Sequence, residues 1–155
     1  MDALVSKRTV AGLDEFDSCT CLNLRKATRA VTQFYENLLE PTGLKITQLP
    51  ILAQAATLGP VTMTALSDTL VMDRTTLTRN LQPLVRLGFI KVRSGDDRRV
   101  RMVTVTPEGL DALEAALPLW RKAQAEMLEQ LGRFSWGVLM DNLRATVSAT
   151  RKAGR

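Results

Sequence analysis

The stretch that decides the fold is residues 62–93, which read TMTALSDTLVMDRTTLTRNLQPLVRLGFIKVR. Thr62 can cap a short helix, because its hydroxyl can accept a hydrogen bond from a first-turn amide. The inward side chains of this helix are predicted to be Ala65, Leu66 and Leu70. A tight turn follows, after which Asp73 can cap a second helix. Two short helices joined by a tight turn predict a helix-turn-helix.

The second helix of this unit has two different sides. At about 100° per residue, its apolar side consists of Leu77, Leu81, Leu84 and Val85. The opposite side carries Thr75, Arg79, Gln82 and Arg86, with Thr76 beside them. Pro83 removes one backbone hydrogen bond and is expected to bend the final turn. A helix that packs on one side and shows Arg and Thr on the other fits the recognition helix of such a unit.

A basic hairpin follows Gly88. Residues 89–93 alternate apolar and basic side chains, and residues 100–105 are rich in β-branched side chains, so both segments are predicted strands. The connection 94–99, SGDDRR, is short and polar, as a turn requires. The inward set shifts between Met102 and Val103, which is compatible with a β-bulge there. A hairpin in this place is called a wing.

Helices are predicted on both sides of the winged region. Residues 1–17 are expected to form a mobile arm, and the next helix, 18–39, has an apolar stripe. That stripe is Leu24, Ala27, Val31, Phe34 and Leu38. A further helix, capped by Thr47, is expected to end at Gly59. Beyond the hairpin, Thr106 can cap a long helix that runs to about Leu131, with a kink at Pro118 and an end at Gly132.

Ser135 is expected to cap a last helix with the stripe Leu139, Leu143 and Val147. The terminal helices carry more apolar surface than one small winged domain can cover, so we expect a partner chain to cover it. The predicted fold class is mainly α with a small antiparallel β-hairpin. The chain 1–155 is expected to be one unit, with a winged helix-turn-helix region at 44–106 and dimerisation helices at 18–40 and 107–150.

The positive charge is concentrated in one segment. The chain has a net charge of +5, and the segment Arg74–Arg101 alone carries +6, from eight basic and two acidic residues, whereas the rest sums to −1. Clustered positive charge is what contacts to a polyanion need. The alternative is an ordinary solvated face.

The composition excludes several classes of protein. The chain has no histidine, which removes the catalytic triads and dyads that use one and every histidine metal ligand. Two cysteines are too few for a structural zinc site or a disulfide framework, so we expect no metal and no cofactor. No apolar run exceeds three residues, which excludes a membrane span or signal peptide and predicts a cytoplasmic protein.

These segments resemble the MarR family of winged helix-turn-helix transcriptional regulators. The likeness covers about residues 24–113 and is most specific at 81–90 (LQPLVRLGFI), at Asp97-Arg98-Arg99 and at 105–109 (VTPEG), where Val105 replaces the usual leucine. The resemblance implies an obligate homodimer with intertwined terminal helices. It also implies that the two winged regions are spaced for successive major grooves of a pseudo-palindromic operator in double-stranded DNA.

The resemblance places the base-reading positions at Thr75, Thr76 and Arg79, and the minor-groove arginine at Arg99. Arginine can donate two hydrogen bonds to guanine, and threonine can contact a base edge, a thymine methyl or a phosphate. A narrow, electronegative minor groove attracts an arginine at a hairpin tip. The residues assigned to phosphates are Arg74, Arg86, Arg93 and Arg98. Two alternatives stay open: Arg86 could form an intramolecular salt bridge, and Asp97 could orient a nearby arginine or only form the turn.

The effector has two candidate sites. Cys19 and Cys21 lie near the start of the first long helix, where Lys26 favours a thiolate and Asp17 opposes it. If both are helical they point about 200° apart, which disfavours an intrachain disulfide and leaves an intermolecular or mixed one. They are either redox sensors, as in some members of the family, or small apolar side chains buried at the dimer interface.

Many relatives instead bind small aromatic acids between the dimer helices and the winged region. Trp120 and Tyr35 could line such a pocket or belong to the core.

Three functions follow from these features. The first is a dimeric DNA-binding regulator, expected to be a repressor released by a small ligand or by cysteine oxidation. The second is a thiol enzyme, which has neither a histidine base nor a Cys-x-x-Cys pair to support it. The third is a winged domain for protein contacts without DNA binding. The basic segment favours the first function, because a pure interaction module needs no outward Arg79 and no arginines at a hairpin tip.

Overall fold

The structure is a computed structural model that describes residues 12–153 except Asp96 and Arg98. Within these residues the helices are α1 (Thr20–Leu39), α2 (Leu49–Leu58), α3 (Met63–Leu70), α4 (Arg74–Arg86), α5 (Pro107–Leu131) and α6 (Arg133–Ala153). The strands are β1 (Val61–Thr62), β2 (Ile90–Ser94) and β3 (Arg101–Val105). Two short 3₁₀ helices cover Leu13–Ser18 and Glu40–Thr42. None of the described helices is both long and apolar enough to cross a bilayer.

The sheet has three antiparallel strands in the order β1-β3-β2. β2 and β3 pair without interruption from Ile90 opposite Val105 to Ser94 opposite Arg101. The β-bulge expected between Met102 and Val103 is therefore wrong. Val103 is fully buried on the core side, while Met102 lies on the other side close to Gly95, so β3 packs apolar side chains on both faces without an extra residue.

The core belongs mostly to the segment between Leu44 and Val103. The fully buried large side chains there are Ile51, Leu52, Leu66, Leu77, Leu84, Ile90 and Val103. α1 and α5 contribute only Tyr35, Leu39, Ala116 and Ala123 to the buried apolar set, and none of the described α6 side chains is buried. The winged region thus supplies most of a single core, to which α1 and α5 add a few side chains.

Three of the predicted helix caps are confirmed. The side chains of Thr62, Asp73 and Thr106 accept hydrogen bonds from the backbone N–H groups of Ala65, Thr76 and Gly109. α5 ends before Gly132, as expected. α4 and α5 are continuous through Pro83 and Pro118, and the bends expected at these prolines stay predictions.

Two of the predicted caps are wrong. Residue 47 does not cap α2, because a turn at Lys45–Gln48 runs directly into the helix and Gln48 takes the cap position. Ser135 lies inside α6, because the carbonyl of Gly132 already accepts the N–H of Trp136.

Several inward positions also differ from the periodicity. In α3, Met63 and Ser67 are buried with Leu66, while Ala65 is exposed. In α4, only Leu77, Leu81 and Leu84 are buried in the core, and Val85, at the edge of this face, is 42% exposed. In α1 the buried residues are Tyr35 and Leu39. Of the predicted stripe, Phe34 and Leu38 pack against the core, while Val31 is 41% exposed.

The mobile arm expected at residues 1–17 is wrong for Leu13–Asp17, which belong to a 3₁₀ helix. The rest of that arm, up to residue 11, lies outside the described residues.

Thr106 joins the winged region to α5. Its hydroxyl donates to the carbonyl of Gly88 at 2.6 Å and accepts from the N–H of Gly109 at 3.1 Å. Its own N–H donates to the carbonyl of Phe89 at 3.0 Å. Gly109 allows this close approach, because a Cβ there would overlap the carbonyl oxygen of Phe89 and come within 2.9 Å of Val105 Cγ1. The first turn of α5 is therefore held directly on the turn between α4 and β2.

We predict that Gly109→Ala lowers the free energy of unfolding by about 2 kcal/mol, because the added methyl forces the start of α5 away from Phe89. Urea denaturation at a fixed protein concentration measures the effect. Gly137→Ala in α6 is the matched control: no atom lies within 4 Å of its added Cβ, so helix propensity makes it neutral or slightly stabilising. Equal unfolding midpoints for the two variants would contradict the contact at Phe89.

Candidate nucleic-acid interface

The turn between α3 and α4 sets the direction of α4. Val71 adopts a left-handed conformation with φ 55°, and the N–H of Met72 returns to the carbonyl of Ser67 at 2.9 Å, which closes the end of α3. Asp73 then starts α4: its carboxylate accepts from the Thr76 N–H at 2.8 Å and from the Thr76 hydroxyl at 2.6 Å. Leu77, Leu81 and Leu84 anchor the inner side of α4 in the core.

The outer side of α4 is polar and open to solvent. Thr75, Arg79, Gln82 and Arg86 are all exposed, as the helical periodicity predicted, and Thr76 is half-buried. Arg74, Thr75 and Arg79 line one open concavity of about 360 Å³, together with Thr78 and Gln82. The structure therefore brings two of the three predicted base-reading positions, Thr75 and Arg79, and one predicted phosphate contact, Arg74, onto a single surface, which Thr76 does not line.

A second concavity, of about 560 Å³, separates α4 from the wing strands. It has an apolar floor that includes Leu81 and Val92, and Arg86 and Arg101 stand at its polar edge. Among the described residues the ion pairs are Arg99 with Asp97, Lys122 with Glu126, and Arg144 with Asp141. The salt-bridge alternative for Arg86 therefore has no support in the described part of the chain.

The tip of the wing presents Arg99 to solvent. The Asp97 carboxylate accepts from the Arg99 N–H at 2.9 Å and lies 3.4 Å from the Arg99 Nε, while the arginine side chain stays 92% exposed. Asp97 thus both forms the turn and contacts the side chain of Arg99, so the two roles considered for it are compatible. Arg93 on β2 is exposed as well. Arg98, the other predicted phosphate contact at the tip, lies outside the described residues.

Three polar side chains on these surfaces were not among the predicted site residues: Thr78, Gln82 and Arg101. Gln82 lies on the outward side that the periodicity identified, and Arg101 belongs to the basic segment, so both had a signal in the sequence. Thr78 had a weaker one, because its position lies at the border between the two sides of α4.

Hydrogen bonding lowers the pKa of two carboxyls at helix starts. The Thr76 hydroxyl, and next the Thr76 N–H, hold the pKa of Asp73 below its usual value. The backbone N–H of Glu108, and then the Thr106 side chain, lower the pKa of Glu108 at the start of α5. Asp73 is therefore a carboxylate at neutral pH, and its negative charge lies at the N-terminus of α4.

The two cysteines stand at the start of α1. Cys19 is the residue before the helix, in an extended conformation with ψ 115°, and is half-buried, whereas Cys21 is exposed in the first turn. The expectation that they point about 200° apart assumed two helical residues, and that assumption is wrong for Cys19. In the described residues, no group of three His, Cys, Asp or Glu side chains is arranged to hold a metal ion.

Tyr35 and Trp120 have different surroundings. Tyr35 is buried, its hydroxyl donates to Gln124 Oε1 at 2.8 Å, and burial raises the pKa of its phenol. Trp120 is half-buried and lines a cavity of about 200 Å³ between α2 and α5. Tyr35 is thus a core residue, and Trp120 faces a small apolar space.

The far end of α6 returns to the helix-turn-helix. Arg151 Nη2 donates to the carbonyl of Asp68 at 2.7 Å, across 83 residues of sequence. The same carbonyl accepts the N–H of Val71 at 3.3 Å, so the arginine lies at the C-terminal end of α3. A guanidinium there complements the negative end of the helix dipole and connects α6 to the turn before α4.

Comparisons with known proteins agree on one family. Residues 42–100 match the model of the MarR family. One similar protein is the M. tuberculosis transcriptional regulator MosR, whose crystal structure was determined in complex with DNA. Its sequence is 36% identical to this chain, and the two structures superpose with a TM-score of 0.79 over 88% of this chain and 98% of MosR. A probable transcriptional regulator from Pseudomonas aeruginosa is 26% identical, with a TM-score of 0.76 over 84% of this chain and 98% of that one. The uncharacterized HTH-type transcriptional regulator YwoH of Bacillus subtilis (strain 168) is 28% identical over 105 residues, which are 68% of this chain and 77% of YwoH.

We predict that Asp73→Ala destabilises the protein at pH 7 and that the difference from the wild type shrinks below about pH 4. Because folding lowers the pKa of Asp73, its carboxylate contributes stability above the unfolded pKa of about 3.9, and this contribution is lost as the pH falls through the folded value. Urea midpoints measured between pH 7 and pH 3 test this. Asp111→Ala, which removes an exposed carboxylate from α5, is the control, and a difference that stays constant down to pH 3 would argue against the cap.

Proposed function

This chain belongs to the MarR family of transcriptional regulators, and we propose that it is a homodimeric repressor that binds a pseudo-palindromic operator through α4 and the β2–β3 wing. The observation that carries the proposal is the outward side of α4, where Arg79 and its polar neighbours line one open surface. A helix with this arrangement fits the major groove, which is wide enough to admit it.

Each part of the surface has its own role in this proposal. Thr75, Thr76 and Arg79 contact base edges, with Arg79 donating to O6 and N7 of a guanine. Arg99 enters the minor groove beside it, where its 92% exposed side chain is free to follow the groove. The phosphate contacts are Arg74, Arg86, Arg93 and Arg98.

Uncovered apolar surface on the helices supports the homodimer. Outside the winged region, Phe134 is 84% and Phe16 60% exposed, and Leu139 and Val147 of the predicted α6 stripe are 39% and 41% exposed. Apolar patches of this kind mark interaction sites. A second copy that packs its own α1, α5 and α6 on this surface would cover it and would place two α4 helices on one face of the DNA.

Two features could receive a signal for release. The cavity beside Trp120 between α2 and α5 has room for about one aromatic ring. Cys19 and Cys21 stand at the start of α1, where oxidation would change how that helix begins. A ligand in the cavity or oxidation of a cysteine would shift the dimer towards a spacing of the two α4 helices that no longer matches the operator.

We predict that Arg79→Ala abolishes preference for the operator but leaves weak binding to any duplex, because it removes a base contact and keeps most of the phosphate contacts. Arg74→Ala is the matched control, since it removes the same charge five residues away and is expected to weaken binding to all sequences about equally. Sequencing the genomic fragments retained by each variant at moderate salt gives the readout. An unchanged preference in Arg79→Ala would place base reading elsewhere.

The wild type should also lose affinity steeply with salt. If the dimer contacts about eight phosphates, a plot of the logarithm of the association constant against the logarithm of the salt concentration has a slope of about −7. A flat salt response, or no retained fragments at low salt, would favour a winged domain that contacts only proteins.

We predict that Leu139→Glu converts the dimer to monomers and lowers operator affinity at least about tenfold, because a carboxylate in the middle of the α6 stripe cannot be buried at low cost. Ser148→Glu adds the same charge on the opposite side of α6 and is expected to leave the dimer intact. Light scattering gives the mass, and fluorescence anisotropy with labelled operator gives the affinity. A Leu139→Glu protein that stays dimeric would show that α6 is not the interface.

A further inference from the structure

Not all polar groups on α4 are equally available to DNA. The hydroxyl of Thr76 donates to the Asp73 carboxylate at 2.6 Å, and the hydroxyl of Thr78 donates to the carbonyl of Arg74 at 2.7 Å. A hydroxyl has one hydrogen to donate, so in these two threonines it is already used inside the helix. Each can still accept a hydrogen bond or offer its methyl group, but neither can donate to a base without giving up its present partner.

Gln82 has no such commitment. Its side chain is exposed. It makes no hydrogen bond to any other residue in the described part of the chain. It lies three residues after Arg79 and seven after Thr75, which places all three on one side of the helix. The three side chains also line the same open concavity. The end of the Gln82 side chain therefore offers a free donor and a free acceptor beside Arg79.

We propose that Gln82 is a specificity-determining residue that reads an adenine in each half of the operator, an inference that rests on the proposed DNA-binding function. A carboxamide matches the major-groove edge of adenine, since its oxygen accepts from N6 and its NH₂ donates to N7. Arginine cannot make this pair, because it has no acceptor. Gln82 thus adds a kind of base recognition that Arg79 lacks.

The spacing on the helix also predicts where the adenine lies. Three residues advance about 4.5 Å along α4, and successive base pairs are about 3.4 Å apart. The adenine should therefore lie one or two base pairs from the guanine contacted by Arg79. A half-site with a G·C pair and an A·T pair at this separation is the signature that the proposal requires.

The test is selection of binding sites from a randomised duplex library with full-length protein. In Gln82→Ala, discrimination at one A·T position per half-site is expected to fall about tenfold or more, while the G·C position keeps its preference. In Gln82→Glu, the preference at the same position should move from A·T to C·G, because a carboxylate accepts from cytosine N4. Asn80→Ala is the control, since it removes an amide that points about 200° away from Gln82.

The outcomes separate this inference from the function on which it rests. If the wild type selects no sequence at all, the proposed function fails. If the wild type selects a motif and Gln82→Ala selects the same one, Gln82 is not a base-reading residue, although the protein remains a sequence-specific regulator. Affinity for non-specific duplex at low salt should stay within about twofold of the wild type in Gln82→Ala, whereas Gln82→Glu adds one negative charge per subunit and should weaken it. A parallel loss of specific and non-specific binding in Gln82→Ala would also overturn the inference, because it would indicate a general contact.

Discussion

Most of the architecture depends on the polar joint at Thr106. This residue is only 3% exposed, so its hydroxyl would be costly to bury without partners. It has two, of opposite kinds: it donates to the carbonyl of Gly88 and accepts from the N–H of Gly109. These bonds fix the direction in which α5 leaves the winged region, and α5 is 25 residues, or about 37 Å, long. A small rotation at this joint becomes a large displacement at the other end of α5.

The two parts of the chain differ in how completely they are packed. The winged region holds most of the fully buried side chains, and the starts of its helices α3 and α4 are both capped by side chains. By contrast, α1, α5 and α6 leave much of their apolar surface uncovered. In the proposed dimer, α1, α5 and α6 set the distance between the two winged regions, and the winged regions recognise the base sequence. The bond from Arg151 to Asp68 attaches the end of α6 to the winged region as well, at the turn just before α4.

The sequence predicted correctly those features that depend only on residues close to one another along the chain. The caps at Thr62, Asp73 and Thr106 were predictable because a cap needs only its own side chain and the next turn of the helix. Burial was less predictable: Ala65 and Val85 fit the apolar period but lie just beyond the strip that the core covers, and the width of that strip depends on distant elements. The pairing of the Thr76 and Thr78 hydroxyls could not be predicted either, since a threonine in a helix can bond to its own chain or remain free. The sequence therefore predicted which residues form the candidate interface, but it did not rank the polar groups on it.

Asp73 explains why side chains, rather than the helix itself, should contact DNA at this surface. The free N–H groups at the start of a helix attract phosphate, whatever the base sequence. At α4 a carboxylate of the same chain already accepts from the Thr76 N–H, and its lowered pKa keeps it charged at neutral pH. A phosphate placed there would meet a negative charge instead of a positive helix end. In the proposed complex, the affinity of α4 then comes from Arg74, Arg79 and Arg86, and its discrimination comes from groups that match a base edge. In the proposed complex, the acidic cap at the start of α4 costs some attraction to the DNA backbone and holds the first turn of the helix that presents the reading side chains.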